Sequence, residues 1–248
     1  MPGIKLTQIP DLPIPLGNQL GVLQRQPLAV QARLMPVVAS QLLPSLLAYQ
    51  LSSAEEAPSL HDPKNAQFYF SDAFALINWL TSNPDAGVRV AKDPHMLKDT
   101  IEKLLRPDIE TDMKPLERRG GATFEADFGS MLQFVSTILI REEHLPSPPH
   151  PRIQELIPKL KAWKKKYRGR YISKVSDRLI DQLEGNVDLA MVRESQMGQL
   201  VCGYVGCTKS KNLSACGQCQ LQRYCSTEHQ KGDWKHHKTI CNKGLVEK

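Results

Sequence analysis

The sequence predicts a mainly α protein: an all-α helical domain followed by a small C-terminal two-metal finger with a short hairpin and helices. Three observations carry this. Apolar residues before position 200 recur at helical spacing, no alternating strand pattern of any length interrupts them, and all six cysteines lie between Cys202 and Cys241. The expected organisation is an extended Pro-rich arm over 1–27, a helical domain over 28–198, a finger over 200–242 and a tail over 243–248.

Pro2, Pro10, Pro13, Pro15 and Pro27 stud the arm, and proline fixes its own φ and pushes its predecessor toward extended geometry. Its Pro10–Leu16 stretch, Pro-Asp-Leu-Pro-Ile-Pro-Leu, carries the hypothesis that the arm fills a groove on the finger. Leu28–Leu51 is apolar-rich, but Gln31, Arg33, Pro36, Gln41 and Pro44 interrupt it, so no membrane span is expected. Between Ala66 and Leu80 a stripe of Phe70, Ala73, Phe74, Ile77 and Leu80 predicts one core helix. Asp93 followed by Pro94 marks a helix start, and Leu97, Ile101, Leu104 and Leu105 continue its period to Pro107. After a charged loop at Lys114–Ala122, the run Phe124, Phe128, Leu132, Val135, Ile138 and Leu139 is the strongest helical signal and predicts the centre of the core. A linker at Pro146–Pro151 precedes helices over about Arg152–Lys166, Ile172–Leu183 and Val187–Met197.

Composition narrows function. At 41% hydrophobic and 23% charged the chain sits near the globular average. The amino terminus has neither a basic n-region nor an apolar h-region. Thiols confined to one segment then point to metal binding in a reducing compartment, nucleus or cytoplasm, rather than to a disulfide framework. Residues 201–248 carry +5 of the formal +6, yet six thiolates on two Zn²⁺ would lower that to +3, which weakens any argument from basicity to nucleic acid.

Four pairs stand out: Cys202-x4-Cys207, Cys216-x2-Cys219, Cys225-x3-His229 and His237-x3-Cys241. These eight ligands suffice for two tetrahedral zinc sites, and sites closed by four protein ligands are structural because none is left for water or substrate. Gly203, Gly206 and Gly217 fall inside the first two pairs, where the chain must turn tightly. The last two pairs have the i, i+4 spacing that shares a helix face. His236 is a competing ligand to His237, which the spacing to Cys241 favours.

Arg223-Tyr224-Cys225, Gln230, Asp233-Trp234, His237 and Cys241 resemble the MYND zinc finger. Two details depart from its commonest form: the first pair is spaced by four residues instead of two, and His229 stands where cysteine is usual. The resemblance implies interleaved ligation, with Cys202, Cys207, Cys225 and His229 on one ion and Cys216, Cys219, His237 and Cys241 on the other. It further implies a module that captures short proline-rich peptides, partly by strand addition along the Leu221–Tyr224 edge, with Gln222, Gln230 and Trp234 as peptide contacts.

The alternative is a nuclear regulator contacting nucleic acid through Lys159, Lys161, Lys164, Lys165, Lys166, Arg168, Arg170 and Lys174, among which Trp163, Tyr167 and Tyr171 are interleaved. A solvated helix face or a nuclear import signal explains the same run. A third class is a non-catalytic relative of SET-type methyltransferases, which also carry such fingers. No Gly-x-Ser-x-Gly, His-Glu-x-x-His or phosphate-binding glycine loop is present. Glu142-Glu143-His144 reads as a helix end, and no enzymatic activity is expected.

Overall fold

The computed structural model describes residues 15–114, 116, 124–197 and 200–241. Helix α1, Pro15–Gln24, occupies part of the segment expected to be extended. Pro15 stands at its first position, where a missing N–H costs nothing and the fixed φ suits a helix, and Leu20 is buried. The rest of the expected arm, 1–14, lies outside the described residues, as do most of the Pro10–Leu16 stretch and all of the 243–248 tail.

Helix α2, Leu28–Gln50, runs through both Pro36 and Pro44. A proline in a helix interior costs about 3 kcal/mol, so packing must offset the two. Ala39, Leu43 and Leu46 are essentially inaccessible, and α2 lies against α4, Asp72–Leu80, and α5, Pro84–Ala91. Among the described residues no helix is long and apolar enough to cross a membrane.

The single helix expected over Ala66–Leu80 is two, α3 at Ala66–Tyr69 and α4. Side-chain caps cause the break: Asn65 accepts from the Gln67 N–H, and Ser71 accepts from the Phe74 N–H at 2.9 Å and donates to the buried Gln50 side chain at 2.6 Å. Asn83 caps α5 in the same way, with Pro84 at its first position. Helix α6, Pro94–Leu105, begins at Asp93 and ends before Pro107 as its spacing predicts. Short α7, Ile109–Met113, follows.

Helix α8, Phe124–Leu139, is central, touching α4, α5, α6 and α10, Tyr171–Leu183. Phe128, Met131, Leu132, Phe134, Val135 and Ile138 are fully buried on it. Helix α9, Leu156–Lys166, packs along α10, and α11, Leu189–Met197, reaches α5. In the proline linker, buried His150 accepts the Arg152 N–H at Nδ1 and places Nε2 3.1 Å from Glu102, tying the segment to α6. The Glu142–His144 stretch forms one 3-10 turn after α8, consistent with its reading as a helix end.

The C-terminal segment holds a two-stranded antiparallel sheet, β1 at Ser214–Ala215 and β2 at Arg223–Tyr224, then α12, Thr227–His237. This segment does not hang free. Its Cys202, Cys216, Cys219, Leu221 and Tyr224 belong to the same apolar cluster as the helical core. Polar bonds fix it to two helices: Ser40 donates to the Ile240 carbonyl at 2.7 Å, Arg33 donates to the Cys207 carbonyl, Arg89 donates to Gln220, and Arg223 forks onto Asp85 with both N···O distances 2.6 Å.

Candidate metal centres and the adjoining groove

Two four-residue clusters form in the C-terminal segment: Cys202, Cys207, Cys225 and His229, and Cys216, Cys219, His237 and Cys241, with the ligand atoms of each within 4.8 Å of one another. Zinc imposes a distance test. With Zn–S of about 2.3 Å and Zn–N of about 2.0–2.1 Å, tetrahedral angles separate two sulfurs by about 3.8 Å and a sulfur from a nitrogen by about 3.5 Å. In the first cluster Cys207 and Cys225 sulfurs are 3.8 Å apart, and His229 Nδ1 lies 3.5 Å from Cys202 and 3.2 Å from Cys225. In the second, Cys216 and Cys241 sulfurs are 3.9 Å apart and His237 Nε2 lies 3.6 Å from Cys219. Both donor sets fit zinc, each with three thiolates and one imidazole. No disulfide joins any of the six cysteines.

Local chain geometry brings the ligands together. The Cys202 N–H donates to the Lys209 carbonyl and the Cys207 N–H to the Tyr204 carbonyl, closing the four-residue knuckle. Gly206 takes φ +83 within it, a conformation that disfavours side chains. Gly203 is required for space, since a Cβ there would stand 1.7 Å from Gln222 Nε2. The i, i+4 reading of the later pairs needs correction. Cys225 directly follows β2 and precedes the cap Ser226, whose hydroxyl accepts the His229 N–H, while Cys241 lies beyond the end of α12. The helix therefore supplies the two histidines, one to each site, and thiols flank its ends. Tyr204 stacks on the His229 ring at 4.5 Å. His236 is exposed and His237 buried, which resolves that ambiguity.

Electrostatics set the protonation work of metal binding. Without a metal, burial and the neighbouring Cys202 and Cys207 push the Cys225 thiol up to about 11. Burial and the Cys219 and Cys216 sulfurs push Cys241 up to about 12. Zinc must displace these protons. Burial lowers the His237 pKa, opposed by Asp233, so the imidazole is neutral and able to ligate.

The three residues expected to contact peptide separate. Gln230 and Trp234 wall an open groove of about 430 Å³ with Gly217, Gln218, Thr227 and Lys231. Trp234 packs its inner face toward His237, with centroids 5.9 Å apart, yet keeps 36% of its surface exposed. Gln222 is buried beneath Gly203 and does not line that groove. The expected Leu221–Tyr224 edge is also taken, because the Gly203 N–H donates to the Arg223 carbonyl at 2.8 Å. Peptide groups alternate across an antiparallel pair. Since the Cys216 N–H bonds the Gln222 carbonyl, the N–H and C=O of Ala215 point away from β2, and the open edge of the hairpin is β1.

The basic run on α9 and α10 is largely compensated. Lys161 pairs with Glu184, Lys164 with Asp177, Lys166 with Glu110 and Arg170 with Glu125. Lys159 donates to the Leu104 and Arg106 carbonyls at the end of α6. Trp163 and Tyr167 are buried in the core and offer no face for base stacking, whereas Tyr171 stays exposed.

The family model described as "MYND finger" matches residues 201–241. Egl nine homolog 1 of Mus musculus is 50% identical over 38 residues, 15% of this chain and 10% of that protein. Egl nine homolog 1 of Homo sapiens is 49% identical over 35 residues, 14% and 8%. The chain thus covers about a tenth of the length of these curated relatives, and no solved structure matches it significantly. The matched segment contains all eight ligands and both clusters, and residues 201–241 are a MYND finger with two four-ligand zinc sites.

Proposed function

We propose that the chain is an intracellular, non-catalytic adaptor whose finger captures short proline-rich peptides in the Gln230–Trp234 groove. One observation carries this reading: Trp79 and Trp163 are buried at 6% and 4% exposure, whereas Trp234 shows 36% of its surface beside an open groove. An exposed indole face suits the flat, preordered surface of a proline-rich segment. The outward peptide group of Ala215 offers main-chain bonds on the adjoining strand. Both zinc sites use four protein ligands, which supports a structural role for the metals, and six metal-ready thiols suit a reducing compartment.

Calorimetric titration of the zinc-loaded chain with a Pro/Leu-rich peptide tests the reading. Trp234→Ala should weaken binding roughly 30-fold, the scale of an aromatic hot spot worth about 2 kcal/mol. Ala215→Pro removes an N–H that no bond among the described residues uses and should weaken binding without loss of zinc. Affinity unchanged by Trp234→Ala would overturn the proposal.

A further inference from the structure

A second groove, of about 280 Å³, lies where the finger meets the helical domain. One wall is the hairpin, through Ala215, its cross-strand partner Arg223 and Gly217, and the other is α5, through Val88, Arg89 and Lys92. Cys216 and Gly217 also line the Trp234 groove, so the two grooves adjoin at that zinc knuckle. Among the described residues nothing stands within 4 Å of where a Gly217 Cβ would lie, so the surface they share is unobstructed there.

Charge distinguishes the second groove. Its carboxylate, Asp85, is already held by Arg223 through both oxygens. Arg89 donates to the neutral Gln220 side chain, and no ion pair engages Arg89 or the exposed Lys92 among the described residues. The groove therefore presents two cations with no ion-pair partner among the described residues, beside the hairpin, with Lys231 a third cation along the Trp234 half.

We infer that the peptide site extends beyond the finger: α5 forms its second half, and Arg89 and Lys92 select a proline-rich segment flanked on one side by acidic residues. This rests on the peptide-capture reading above and names the partner more narrowly. The extended segment places its proline on Trp234, crosses Gly217 along β1, and brings its acidic flank to α5. The helical domain becomes a specificity element that an isolated finger would lack.

The test uses the full zinc-loaded chain and fluorescein-labelled peptides sharing one Pro/Leu core, with an Asp-Glu pair at the N-terminal flank, the same pair at the C-terminal flank, or alanines at both. Anisotropy should show one acidic placement binding roughly three- to tenfold tighter than the alanine peptide at low salt, with the gain screened at high salt. Lys92→Glu, which breaks no side-chain bond among the described residues, should abolish most of that gain, and Arg89→Glu with Lys92→Glu should abolish all of it. Lys92→Glu should leave affinity for the alanine peptide unchanged, while Trp234→Ala should weaken all three peptides alike. Equal affinity for acidic and alanine peptides, or a preference that survives charge reversal, overturns the inference and leaves peptide capture standing. Absence of binding by every peptide, or indifference to Trp234→Ala, overturns both.

Discussion

Removing the Asp85 carboxylate should loosen the finger from the helical body. Arg223 reaches Asp85 through two bonds of 2.6 Å, and the side chains are 21% and 11% exposed. Asp85 lies in the first turn of α5, rigidly placed by the Asn83 cap. Hydrogen bonds involving a charged group contribute about 1.5–3 kcal/mol each. Partial exposure screens the pair, and Arg223 retains a 3.3 Å bond to the Leu213 carbonyl. A net loss of about 2 kcal/mol for Asp85→Ala follows, which corresponds to a fall of about 4–8 °C in Tm for a chain of this size. Arg223→Lys keeps the charge but not the fork and should lose about half as much. Urea denaturation of the zinc-loaded wild type, Asp85→Ala, Arg223→Ala and the double alanine variant gives the coupling directly. Faster zinc release to a chelator should accompany the loss, because undocking exposes the finger. A coupling energy near zero would refute the docking account.

Other predictions address separate links. Ser71→Ala removes the α4 cap and strands the buried Gln50 side chain, so it should cost about 2 kcal/mol by denaturant titration. Gly203→Ala forces Gln222 from its buried place and should cost about 1–3 kcal/mol, with weakened zinc retention measured by chelator competition. Burial, together with the bond its hydroxyl donates to Asp112, raises the Tyr69 pKa from 10.0 to about 12. Its contribution is full below pH 10 and is lost as pH rises toward 12, so stability should fall across that window. Absorbance titration at alkaline pH should show Tyr69→Phe removing a late-titrating phenol.

The sequence made the finger legible because zinc needs particular side chains at short spacings, and those spacings survive without any knowledge of the fold. It did not reveal which pairs share an ion; that came from the family resemblance, and the two clusters agree with it. Periodicity identified α6 and α8, whose apolar stripes face one core. It missed the break at Ser71, where one hydroxyl outweighs a continuous stripe, and it passed over α5, too short for a stripe though marked by Asn83-Pro84. The proline criterion misjudged Pro15, which starts a helix. Compensation of the basic run depended on Glu110, Glu125, Asp177 and Glu184, brought near by folding across separate elements. Burial of Gln222 and the opening of the β1 edge likewise depend on Gly203 crossing behind β2, a contact no spacing encodes.

The central claim is that two interleaved sites, each of three thiolates and one imidazole, hold the finger together. Metal content alone does not test it, because sequential pairing would also bind two ions and give the same average ligation. Cadmium accepts the same thiolate and imidazole donors, and cadmium-113 NMR of the substituted chain reads each site separately. Interleaving predicts two resonances close together, both in the range of three sulfurs and one nitrogen. One resonance from four sulfurs and another from two sulfurs and two nitrogens would contradict it.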